Sequence, residues 1–152
     1  MNFRELMLES EIDVPHSIAN VWAFLSDPQN SALWDKSVAA VEAHGTNPVG
    51  VGWTGTTIAP SGVRQEFRII AWDPTRRFEF ELLESRIFRR ASLEFTLAEV
   101  GNLTRITHRI QVSLRSPLLY PLLKLTSGRA LAADLESLRA ALDKAYPRSR
   151  AA

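Results

Sequence analysis

The chain has 152 residues, 45% of them apolar and 23% charged, with a net charge of +1. That balance fits one soluble globular domain with material for a real core, and argues against nucleic acid, since no basic stripe is interleaved with aromatics. The absence of cysteine excludes thiol catalysis, thiolate metal sites and disulfides. No basic n-region with an apolar h-region opens the chain, and no apolar run approaches about 18 residues. A cytoplasmic protein without a transmembrane segment is therefore expected.

From Phe3 to Val14 apolar and charged residues alternate, with Leu6, Leu8, Ser10, Ile12 and Val14 on one side. That is the period of a half-buried strand. Pro15-His16-Ser17 turns into a short helix whose apolar face is Ile18, Val21, Trp22 and Leu25. Asp27-Pro28 ends it, and Asn30 to Trp34 supplies one more turn. Val38 to Ala43 is a weak strand, followed by a loop marked by Gly45, Pro48, Gly50 and Gly52. Alternation then persists through Trp53–Ala59, Val63–Trp72, Arg77–Leu82, Arg89–Leu97 and Thr104–Leu114, separated by turn signals such as Pro60-Ser61-Gly62, Asp73-Pro74 and Gly101-Asn102. Short turns between neighbouring strands predict an antiparallel meander with one dry face.

The last long segment, Ser116 to Ala145, reads as a helix of roughly 45 Å. Ser116-Pro117 opens it and Pro147 stops it. Leu131, Leu135, Leu138 and Leu142 share one face. Continued backward on a straight helix, that stripe lands on Gly128, Lys124 and Tyr120, while Leu118, Leu119, Leu122, Leu123 and Leu125 lie on other faces. Either the helix is irregular near Ser127-Gly128, the expectation favoured here, or Tyr120 and Lys124 face the interior. In the second case Leu118–Leu125 contacts a loop, a second subunit or a lipid surface. The expected organisation is one α+β domain over residues 1–146: a curved antiparallel sheet of six or seven strands around the long C-terminal helix, with a frayed tail over 147–152.

This order resembles the START/Bet v 1-like helix-grip superfamily, in particular its bacterial polyketide cyclase/dehydrase-like (SRPBCC) members. The residues carrying the likeness are Val14-Pro15, Val21-Trp22-Ala23-Phe24-Leu25-Ser26-Asp27-Pro28, Trp34, Gly50-Val51-Gly52, Asp73-Pro74, Gly101 with Thr104-Arg105-Ile106-Thr107, and the leucine-striped helix. The resemblance implies a cavity between sheet and helix that holds a lipid, polyketide or other apolar molecule. Enzymes and pure carriers share the fold, so fold alone does not choose between them.

The polar residues that ride inward with the apolar strand faces are Ser10, Gln65, Arg89 and His108. Each needs a partner or an opening, because burying a lone polar group costs free energy. Trp34, Trp53, Phe67, Phe80 and Phe95 are candidate cavity walls beside Gln65, Arg89, His108, Tyr120 and Lys124; Trp22 belongs to the core. His16, His44 and His108 lack metal-ligand spacing, and no phosphate loop, nucleophile elbow or carboxylate pair is visible, so neither metal nor cofactor is expected. Three functions stay open. The first is binding of a hydrophobic small molecule, which the scarcity of inward titratable groups favours. The second is a cyclase or dehydratase with His108 as acid/base and Arg89 or Tyr120 holding an oxyanion. The third is an interaction protein, dimeric or lipid-bound, that docks through Leu118–Leu125.

Overall fold

A computed structural model describes residues 4–147, with the side chains of residues 122–127 outside the described set. Its sheet has seven strands: β1 (Glu5–Val14), β2 (Ala40–Ala43), β3 (Thr54–Ile58), β4 (Arg64–Asp73), β5 (Arg77–Leu82), β6 (Phe88–Val100) and β7 (Leu103–Leu114). Every neighbouring pair is antiparallel, in the order β1-β7-β6-β5-β4-β3-β2. The two edges, β1 and β2, are joined in sequence by helix α1 (Ile18–Leu25), a 3-10 turn (Pro28–Asn30) and helix α2 (Ser31–Trp34). Ser17 caps α1 by accepting from the Asn20 amide at 3.2 Å, as its position before the apolar face predicts. This is the helix-grip architecture.

The solvent face of the sheet is laced by arginine–carboxylate pairs across strands. Arg77 bridges Glu79 and Glu94 at 2.5 Å each, Arg105 meets Asp13 at 2.8 Å, Arg109 meets Glu9 at 2.7 Å and Arg68 meets Glu81 at 2.5 Å. Arg64 pairs with Glu42. These exposed pairs hold partners in register and add little each to stability.

Helix α3 runs unbroken from Tyr120 to Ala145, about 39 Å, after a 3-10 turn over Pro117–Leu119. It passes through Gly128 without interruption, so the expected irregularity there is absent from its helical assignment. Ser116 caps the 3-10 turn by accepting from the Leu118 amide at 3.3 Å. Leu131, Leu135, Leu138 and Leu142 are all 0–3% exposed. Leu135, Leu138 and Leu142 join Ile12 and Val14 of β1, Val21 and Phe24 of α1, Leu97 of β6 and Ile106 of β7 in one core. The stripe ends at Gly128, which is exposed.

Two bulges break the strand alternation. In β4 the register shifts between Ile69 and Ala71, leaving Ile70 as the extra residue and turning Trp72 onto the face of Phe78. In β6 it shifts between Phe88 and Arg90, leaving Arg89 as the extra residue. Gly55 on β3 marks a close approach: a Cβ there would lie 2.8 Å from the Trp53 ring and 3.0 Å from the Glu42 carbonyl oxygen. Only glycine fits without moving the neighbours.

The buried leucines make the docking of α3 testable. Leu138→Ala, at a site 0% exposed, should cost about 2–5 kcal/mol in urea unfolding. A loss under about 1 kcal/mol would show that the stripe is not the main contact of the helix.

Candidate functional site

The packed core fills one end of the sheet, and a cavity of about 300 Å³ lies at the other. Its walls come from β2 through β7 and from α1 and α2, with Val41, Thr57, Phe67, Phe80, Leu93 and His108 representing the six strands. Six strands laid flat would span roughly 24 Å at their usual spacing. For all of them to border one small space, the sheet must curl around it. The volume is at the lower end of small-molecule sites.

Along β6, Leu97 belongs to the packed core, Leu93 only to the cavity, and Phe95 to both. Along β7, Ile106 is core and His108 is cavity wall. Phe95 and His108 therefore form the floor where filled and hollow halves meet. They are opposite each other in register, and their rings stack at 4.0 Å with planes 9° apart. Other rings buttress that floor: Phe78 stacks on Phe95 at 5.2 Å, Trp34 meets Phe95 edge-on at 5.9 Å, and Trp22 meets Trp72 at 5.0 Å. At the opposite end the exposed lining residues are Ser37, before β2, and Val63, in the β3–β4 turn. The mouth lies between those two connections.

Of the residues singled out in the sequence, Trp34, Gln65, Phe67, Phe80, Phe95 and His108 line the cavity together. Gln65 is tied down, its amide donating to the carbonyl oxygens of Glu66, at 2.9 Å, and of Leu83. Ser10 sits half-buried on β1 opposite His108. Trp53 is not among the described lining residues; it packs on Phe67 at 5.6 Å, over Gly55. Arg89, expected inward, is exposed, because the β6 bulge takes it out of phase with Ala91, Leu93 and Phe95. Tyr120 is half-buried at the start of α3 and is likewise not among the described lining residues. The Lys124 side chain lies outside the described set. Trp72 and Phe78 also line the cavity. Strict alternation hides Trp72, since only the β4 bulge turns it inward. Phe78 shares the alternating face of Phe80 on β5, and only the cavity's extent marks it as lining.

The three histidines have different surroundings. His16 Nε2 lies 2.7 Å from the Asp143 carboxylate, and His44 contacts Thr56 Oγ1 at 2.6 Å and Thr54 Oγ1 at 3.2 Å. His108, only 3% exposed, has no hydrogen-bond partner for either ring nitrogen among the described residues. Burial pushes its pKa from 6.5 down to about 3, so it is neutral across the physiological range. It is the one buried polar residue among the described lining. Near the mouth, burial raises the Asp134 carboxyl on α3 to about 6, with the Asp35 charge adding to the effect and Lys36 opposing it. Asp35 itself accepts from the Ser37 amide and hydroxyl at 2.9 and 2.6 Å. Among the described residues no cluster of three or more His, Cys, Asp or Glu could hold a metal ion.

A sheet gripping one long helix, with a hollow end walled by aromatics, defines a helix-grip domain with a cavity. The family model described as "Polyketide cyclase / dehydrase and lipid transport" matches residues 6–143, and the chain belongs to that family. Several solved structures share the fold. The Zhui aromatase/cyclase from Streptomyces sp. R1128 superposes with a TM-score of 0.77 at 18% identity, over 94% of this chain and 97% of that one. A START superfamily protein from Mycobacterium smegmatis gives 0.76 at 13% identity, over 92% and 99%. Protein MLL2253 from Mesorhizobium loti gives 0.75 at 16% identity, over 93% and 99%. No curated protein matches the chain in sequence.

The two displaced pKa values act on stability with opposite signs. Below about 6.5 the unfolded chain protonates His108 and the folded chain does not, so that contribution is complete above 6.5 and is lost as pH falls toward 3. Asp134 contributes most below 3.8, and that contribution is lost as pH rises toward 6. A single pH profile mixes the two, and variants separate them. Between pH 7 and about pH 4.5 the wild type should lose about 2–3 kcal/mol relative to His108→Leu in urea unfolding. Parallel profiles for the two proteins would mean that His108 titrates normally.

Proposed function

We propose that the protein binds a hydrophobic small molecule, such as a lipid, a polyketide or a similar ring compound, in this cavity, with His108 as its polar anchor. The supporting observation is a mostly apolar, aromatic-walled cavity with one buried, unpartnered imidazole in its floor. A buried polar group without a partner costs about 1–3 kcal/mol. An apolar molecule carrying one hydroxyl or carbonyl would supply that partner, while its rings lie along Phe67, Phe80 and Phe95. The neutral imidazole can donate from one nitrogen and accept at the other.

Titration with naphthol, followed through the fluorescence of cavity-lining Trp34 and Trp72, tests this reading. Saturable binding is expected, weakened at least tenfold by Leu93→Trp, which fills the space. His108→Leu should weaken naphthol by about tenfold, the worth of one hydrogen bond, and leave naphthalene unchanged. Extraction of the purified protein with organic solvent should release an apolar molecule detectable by mass spectrometry. Absence of both a retained molecule and saturable binding would refute the proposal.

A cyclase or dehydratase is the second reading, favoured by the same unpartnered His108 and by the aromatase/cyclase among the structural neighbours. Burial that lowers the His108 pKa to about 3 leaves it a weak base, so this reading requires a bound substrate whose polar groups raise its basicity. Arg89, exposed on its bulge, has no place in that chemistry. Turnover of a poly-β-keto substrate that survives in His108→Leu would remove the assignment.

A further inference from the structure

Six arginines of the domain, Arg64, Arg68, Arg77, Arg105, Arg109 and Arg139, are ion-paired with carboxylates. Among the described residues Arg86, Arg89 and Arg90 have no side-chain partner, and Arg115 uses its Nε to donate to the Ser85 carbonyl oxygen at 2.8 Å. These four are not scattered. The Arg115 amide donates to the Ile87 carbonyl at 3.1 Å, Phe88 pairs with Leu114, and Arg90 pairs with Ser113. The β5–β6 connection, the start of β6, the end of β7 and the Pro117–Leu119 turn therefore converge at one end of the sheet. In residues 83–90 and 114–119, four arginines stand against a single carboxylate, Glu84, and the neighbouring start of β1 adds one charge of each sign, Arg4 and Glu5. Two large apolar side chains project from the same place: Ile87 is 51% exposed and Leu118 is 86% exposed.

This is also the end at which the cavity opens. In an antiparallel sheet the start of β2, the end of β3, the start of β4, the end of β5 and the start of β6 all lie at one edge, and Ser37 and Val63 of the mouth belong to it. Val63 is itself 66% exposed. Apolar tips ringed by an excess of cations suit the interfacial zone of an anionic bilayer, where the tips bury in the acyl boundary and the guanidinium groups meet phosphates. A nucleic acid would satisfy the arginines and leave Ile87 and Leu118 idle.

We propose that this end of the domain docks on anionic phospholipid membranes through Arg86, Arg89, Arg90, Arg115, Ile87 and Leu118. Docking stands on this surface alone. Its use, presenting the cavity mouth to the bilayer so that an apolar ligand passes without crossing water, rests on the binding function proposed above.

Flotation of the full chain with vesicles at low salt tests the surface. Binding is expected to equimolar phosphatidylcholine and phosphatidylglycerol, and not to phosphatidylcholine alone. At about fivefold per arginine, the Arg86→Ala/Arg89→Ala/Arg90→Ala variant should bind about 100-fold more weakly, and Leu118→Asp at least tenfold more weakly. Arg76→Ala should bind as wild type, since Arg76 is an exposed arginine in the β4–β5 turn at the opposite end, without a side-chain partner among the described residues. Three results would each overturn the proposal. One is no preference for anionic vesicles, and another is an equal loss in Arg76→Ala. The third is tight binding of an RNA duplex that depends on the arginines and ignores Leu118→Asp. Naphthol binding, measured on the same variants, should not change; its loss would indict the cavity reading and leave the docking result standing.

Discussion

Leu135, Leu138 and Leu142 of α3 bury against Ile12, Val14, Leu97 and Ile106, and the rest of the molecule depends on where that contact stops. Each leucine is worth about 1.5–3 kcal/mol, enough together to fix the helix on one end of the sheet. The stripe ends at exposed Gly128, and the other end of the sheet is not filled by it. The same inward strand face is therefore core at Leu97 and Ile106 and cavity wall at Leu93 and His108. A longer stripe would have packed the fold solid.

That division explains the state of His108. A histidine one residue pair deeper would sit among aliphatic groups with nothing to meet. One pair nearer the mouth it would reach solvent. At the boundary it is 3% exposed, stacked on Phe95 and unpartnered, which holds the imidazole neutral and leaves both ring nitrogens unused. Among the other polar lining residues, Gln65 and Asp35 are half-buried and already bonded to the chain.

Most of the fold was legible because alternation and helical period are local. The seven strands, the two short helices and the long helix follow from them, as do the four buried leucines. The candidate site was legible wherever alternation held, as at Gln65, Phe67, Phe80, Phe95 and His108. It failed at the bulges. One extra residue at Ile70 brings Trp72 inward, and another at Arg89 sends a predicted cavity arginine outward. A bulge is set by pairing with a distant strand, so the chain near it gives no warning. Empty space is equally invisible, because an aromatic at an inward position reads the same whether it faces another side chain or a void. The missing partner of His108 is a statement about every atom around it, and only the assembled structure makes it.

Nitrogen NMR of the histidine rings reads the cavity floor itself. A neutral, unbonded imidazole there keeps the nitrogen shifts of a neutral ring from pH 7 to about pH 4, and saturating naphthol moves one of those shifts as a hydrogen bond forms. Titration of His108 near its ordinary value, or shifts indifferent to a saturating ligand, would rule that floor out.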